Sequence, residues 1–125
     1  MRFDERVIVL TGVGREGQVG ETVARTFAQR GAMVVLVDRQ AEEVGARAAA
    51  LRGLGLRAWG YACDLTDPAQ VEQVARRTAA THGGRIDALV NLAGGFAISG
   101  PIAASDPAVW HRQIAINLTT AYLAT

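Results

Sequence analysis

The stretch "VIVLTGVGREGQVGETVARTFAQRGAMVVLVDR", Val7 to Arg39, decides how the rest of the chain is read. It opens with β-branched and apolar residues, passes through a glycine-rich loop, and closes on a second apolar run that ends at Asp38. Between the runs, Val23, Ala24, Phe27 and Ala28 recur at helical spacing and Gly31 supplies the stop, so a helix is expected from about Gly20 to Arg30. A strand that turns through glycines into a helix aims free N–H groups and the positive end of the helix dipole at one point, which suits a pyrophosphate.

Two registers compete within the loop. Gly12-Val13-Gly14-Arg15-Glu16-Gly17 matches the general dinucleotide spacing, whereas Thr11-Gly12 followed by Gly17 and Gly20 describes a longer loop. Helix packing separates them: with Gly17 last, Glu21 falls at the small-residue position against the sheet, and with Gly20 last that position is Ala24. The second register is preferred, and it leaves Gly14 in the freer part of the loop. Asp38, 18 residues after Gly20, stands where a carboxylate accepts both ribose hydroxyls of an adenosine and repels a 2′-phosphate. This favours NAD over NADP, although Arg15 and Arg39 are near enough to bind that phosphate.

Outward from this unit, strands and helices alternate, the pattern of βαβ units and a parallel sheet covered on both faces. The expected strands are 6–11, 32–38, 57–64 and 86–93, with Gly60 and Cys63 diluting the third. A second helix covers "AEEVGARAAALRGLG". A third opens at "TDPAQ", where Asp67 caps, Pro68 occupies the first turn and Gln70 completes a capping box, with Val71, Val74, Ala75 and Thr78 facing the sheet. A fourth opens at "SDPAVW" on the cap Asp106 and runs through Leu118 and Tyr122.

At 125 residues with half of them apolar, the chain suits one domain with its own core. A formal charge of +1 with acids and arginines interspersed argues against a nucleic acid partner. The apolar run after "MRFDER" is too short for a signal peptide or a membrane span, so no membrane partner and a cytoplasmic location are expected. Cys63 is expected to be a buried free thiol, and no Cys/His spacing points to a metal. His82 and His111 are expected to be exposed, as is the Arg76–Arg77 pair. Every basic side chain is Arg; there is no Lys.

Taken together, "VIVLTG" before the glycine loop, "GETVARTFAQRGAMVVLVDR", "CDLTD", "RIDALVNLAGG" and "WHRQIAINLTTAYLAT" resemble the short-chain dehydrogenase/reductases over the whole chain. The resemblance implies an α/β Rossmann sheet of order 3-2-1-4 that binds a nicotinamide dinucleotide. The cofactor-binding candidates are Gly12, Arg15, Gly17, Val19, Gly20, Asp38, Arg39, Asp64, Leu65, Asn91, Ala93 and Gly94. By resemblance Asp64 and Leu65 contact the adenine, Asn91, Ala93 and Gly94 line the cofactor after the fourth strand, and Asn117 belongs to a catalytic tetrad. For Asn117 the plainer reading is a helical polar residue satisfied by neighbouring backbone, and for Asp64 it is ordinary turn chemistry.

Three departures stand out. The glycine loop is two residues longer than the family's usual one, and "NLAG" carries Leu92 where a second Asn is usual. The family's Ser and its Tyr-x-x-x-Lys pair have no counterpart in a chain without Lys. The expectation is therefore the first half of a short-chain oxidoreductase, residues 1–125 forming a single dinucleotide-binding domain incomplete at its C-terminus and inactive alone. The complete protein would act on a small carbonyl or alcohol, as a homo-oligomer. A stand-alone nucleotide-binding module, half of a split enzyme, and a truncated reading frame are the alternatives.

Overall fold

The computed structural model describes all 125 residues. Strands β1 (Val7–Thr11), β2 (Met33–Asp38), β3 (Ala58–Ala62) and β4 (Ala88–Asn91) form one parallel sheet in the order β3-β2-β1-β4. β1 and β2 each begin one residue later than expected and end where expected, whereas β3 and β4 are shorter at both ends.

Alternation along the strands assigns side chains to the two faces. Ile8, Leu10, Val34 and Leu36 point one way, onto Ala24 and Ala28 of α1 (Val19–Gln29) and Val44, Ala48 and Leu51 of α2 (Ala41–Gly53). Val7, Val9, Val35, Val37 and Tyr61 point the other way, onto Val71 and Val74 of α3 (Pro68–Thr81) and Ala124 of a short terminal helix. The Gly60 that dilutes β3 has a reason: a Cβ there would lie 2.8 Å from the Val44 carbonyl oxygen of α2. Right-handed crossovers between parallel strands put α1 and α2 on one face and α3 on the other.

Asp67 caps α3 as expected, its Oδ1 accepting from the Ala69 N–H at 2.9 Å, and Asp106 does the same for Ala108 at 2.8 Å. The capping box does not form. Gln70 instead accepts from the Asp64 N–H at 2.9 Å with Oε1 and donates to Asp67 Oδ2 at 3.0 Å, tying the turn after β3 to the helix. At the opposite end of the sheet, Asp87 accepts from the Val7 N–H, Arg6 and Arg85, which hold its carboxyl well below the usual range and fasten the start of β4 to β1.

The last helical segment is not one regular helix. It runs as α4 (Pro107–Ile114), a π-helical turn (Ala115–Thr119) and α5 (Thr120–Ala124), preceded by a 3₁₀ turn at Ile102–Ala104. One exposure expectation is corrected: His82 is half-buried, with its ring edge-on to Trp59 at 4.4 Å. Arg76 and Arg77 are exposed as expected, Arg77 with its guanidinium 4.5 Å from the centre of the Tyr61 ring. Cys63 is buried as expected, and burial pushes its thiol pKa up. No helix is long and apolar enough to cross a membrane.

Candidate dinucleotide site

The carboxyl ends of β1, β2 and β4 converge on the glycine loop, the place where an open parallel sheet offers a crevice. Gly12 is the hinge. Its φ of +73° lies in the left-handed region, and a Cβ on it would be 2.6 Å from the Ala93 nitrogen, so only glycine permits β1 to turn this close to the chain leaving β4. The same junction is clasped by Thr11, whose buried hydroxyl accepts from the Leu92 and Ala93 N–H groups at 3.1 and 3.2 Å. Leu92, where the family usually has a second Asn, is thus held through its backbone. Thr11 was not among the candidate residues, yet a Thr hydroxyl buried at the end of an apolar strand needs a partner, and that signal was available.

The helix begins at Val19, and Gly20 lies in its first turn with its Cα pressed on the loop: a Cβ would meet the Gly12 carbonyl oxygen at 2.7 Å. Ala24 is fully buried while Glu21 is not, so helix packing follows the longer register. Gly14 is not the freer glycine, however. A Cβ there would lie 2.8 Å from Asp38 Cγ, whereas one at Gly17 would meet nothing within 4 Å. Gly17 needs glycine only for its φ of +72°.

Gln18 caps α1 without a side-chain hydrogen bond, and the N–H groups of Gln18, Val19 and Gly20 donate to no other group of the chain. These are the orphan donors of a helix N-terminus, at the end of the loop on whose Gly14 Asp38 packs. Asp38 is half-buried and its Oδ1 takes only a 3.3 Å bond from the Gln40 N–H, so acceptor capacity remains for two hydroxyls. Arg15 lines a cleft of about 350 Å³ with Gly14, Glu16, Glu42, Glu43, Ala46 and Arg47.

Beyond β3, Asp64 accepts from the Thr66 hydroxyl at 2.6 Å and the Thr66 N–H at 2.9 Å, which lower its pKa, with Arg39 nearby adding to the effect. Leu65 beside it is buried. This is the turn chemistry expected of the plainer reading, and it leaves Asp64 exposed at the same edge of the sheet. Asn91 ends β4, its amide 3.4 Å from the Thr125 hydroxyl, and Gly94 follows where the chain meets the π-turn. There Asn117 accepts from the Gly95 N–H at 3.0 Å, and its amide donates to the Gly95 and Gln113 carbonyls at 2.9 and 3.0 Å. Its side chain is therefore spent on backbone, bolting the loop after β4 to the widened turn of the helix. A cradle that glycines alone leave open, orphan N–H groups, and a carboxylate beside it together fit a dinucleotide.

The sequence profile of a family described as short chain dehydrogenase matches residues 6–125. The chain belongs to the short-chain dehydrogenase family. D-threitol dehydrogenase of Mycolicibacterium smegmatis is 38% identical over 122 residues, which are 98% of this chain and 45% of that protein. Short-chain dehydrogenase reductase 5 of Arabidopsis thaliana is 38% identical over 117 residues, 94% of this chain and 43% of the other. A metagenomic short-chain oxidoreductase solved in complex with NADP superposes with a TM-score of 0.88 at 36% identity, over 98% of this chain and 54% of its own. The chain spans about half the length of these short-chain dehydrogenases.

Proposed function

We propose that these residues form the dinucleotide-binding part of a nicotinamide-dependent oxidoreductase, with NAD preferred over NADP. The observation that carries the reading is the cradle itself: three N–H groups at the start of α1 are unpaired, and Asp38 packs on Gly14 of the loop that leads into that helix. In this reading Gly12, Gly17, Val19 and Gly20 shape the pyrophosphate site and Asp38 accepts the adenosine ribose hydroxyls. Asp64 and Leu65 flank the adenine, and Asn91, Ala93 and Gly94 border the nicotinamide side, where Asn117 serves the catalytic machinery by holding Gly95. Bound there, the nicotinamide ring supplies or accepts a hydride.

The preference for NAD is supported by charge. Asp38 is joined around the neighbouring cleft by Glu16, Glu42 and Glu43, while Arg47 is engaged by Glu16 and Glu21. Arg15 and Arg39 form no ion pair and are the cations that stand against this preference, as partners for a 2′-phosphate. With no Lys in the chain, the acid–base pair that completes hydride transfer to a carbonyl or alcohol comes from elsewhere in the whole protein or from a companion chain. A cytoplasmic, homo-oligomeric whole protein belongs to the same proposal.

Calorimetric titration of the chain tests it. NAD should bind about tenfold more tightly than NADP, the ~1.4 kcal/mol scale of one unfavourable charge contact. Asp38→Ala should narrow that gap; equal or tighter NADP binding, or no saturable binding of either, contradicts the proposal.

A further inference from the structure

The helix that offers its N-terminus to a pyrophosphate carries an acid in its first turn. Glu21 Oε2 accepts from the Gly17 N–H at 2.7 Å, and its side chain is only 16% exposed. That bond holds the carboxyl below its usual pKa, so it is charged at neutral pH. A fixed negative charge beside orphan N–H groups works against the binding of an anion.

Two arginines answer it. Arg25, one turn along α1, reaches Oε1 at 3.1 Å but is half exposed. Arg47 comes from α2, 15% exposed, with Nη1 3.8 Å from Glu21 and 3.6 Å from Glu16. Its Nε–H is buried without a hydrogen-bond partner, so the guanidinium is held by packing and by charge rather than by well-formed hydrogen bonds. Glu16 and Gly17 both lie in the lengthened loop, so Arg47 ties α2 to that loop by charge.

Resting on the dinucleotide reading, we propose that Arg47 is a positioning residue for the pyrophosphate: reaching across from the second helix, it neutralises Glu21 and Glu16 so that the lengthened loop accepts an anion. Arg47 does not touch the ligand; it removes a repulsion. Such an effect is electrostatic, so salt weakens it, and removal of the acid cures its loss. A structural role for Arg47 has neither property.

The test is NAD affinity of the wild-type chain, Arg47→Gln, Glu21→Gln and the double variant, measured at about 50 mM and about 500 mM salt. Arg47→Gln should bind about fivefold more weakly at low salt and less so at high salt. Glu21→Gln, whose amide oxygen still accepts from Gly17, should bind at least as tightly as wild type, and the double variant should recover most of the loss. A loss that is the same at both salt concentrations, or that the double variant keeps, or no loss at all, overturns the proposal. If Arg47→Gln fails to fold, Glu21→Gln decides alone, since weaker binding by that variant contradicts the charge argument. If the wild type does not bind NAD, the dinucleotide reading falls, and the same series titrated with inorganic pyrophosphate decides the role of Arg47 by the same criteria.

Discussion

The centre of this sheet and its β4 edge are made from similar residues and are covered to different degrees. Against α1 and α2, Leu10, Val34 and Leu36 are fully buried, and the adjoining helices contribute Ala24, Val44, Ala48 and Leu51 to the same core. Across the molecule, β4 has no fully buried residue, and Trp110, Leu118 and Tyr122 of the last helical segment are 63%, 60% and 78% exposed. Between α3, α5 and the sheet lies a cleft of about 320 Å³ with Val9, Val37, Cys63 and Leu65 in its walls. Burial of apolar surface is the main source of rigidity, so the half of the site built on β1, β2 and α1 is set by a finished core. The half after β4 depends on a few polar ties, the Thr11 hydroxyl and the Asn117 amide. The β1–β2–α1 side of the cradle is thus the more rigid one.

Cutting back the core on one side and the open surface on the other breaks or sharpens that contrast. Leu36→Ala should cost about 2–5 kcal/mol of stability, as a cavity in a fully packed site does. Leu118→Ala should change it by less than about 0.5 kcal/mol. Chemical denaturation measures both, and equal costs would show that the two regions are equally packed. A smaller effect is expected at His82. Its Nε2 is buried without a partner, and burial holds its pKa below the ordinary 6.5. Because the unfolded chain takes the proton more readily, the stability tied to neutral His82 is present above about pH 6.5 and declines as pH falls below it. His82→Leu should flatten that slope in thermal unfolding measured across the acid range; an unchanged slope would place the acid sensitivity elsewhere.

Much of this was legible in the residues themselves. Continuous apolar runs mark β1, β2 and β4 as strands, of which β1 and β2 are buried on both faces and β4 is not, and Asp67-Pro68 and Asp106-Pro107 mark helix starts, because these signals are local. The choice of Gly20 over Gly17 followed from the helical spacing to Ala24. What escaped depends on residues distant in sequence. The π-turn arises where Asn117 meets Gly95, 22 residues away, and Thr11 finds Leu92 across 81 residues. Gln70 would have closed a capping box had the Asp64 N–H not been the nearer claim, and Gly14 looked free only because Asp38 had not yet been placed above it.

The central claim is that the N-terminal turn of α1 and Asp38 together receive a dinucleotide. Amide chemical shifts of the isotope-labelled chain, followed as NAD is added, test it most directly. The account predicts saturable shifts at Gly14, Gln18, Val19, Gly20 and Asp38, with Leu54 and Gly55, in the turn that follows α2, unmoved. Saturable shifts that leave Gln18 to Gly20 untouched would contradict it.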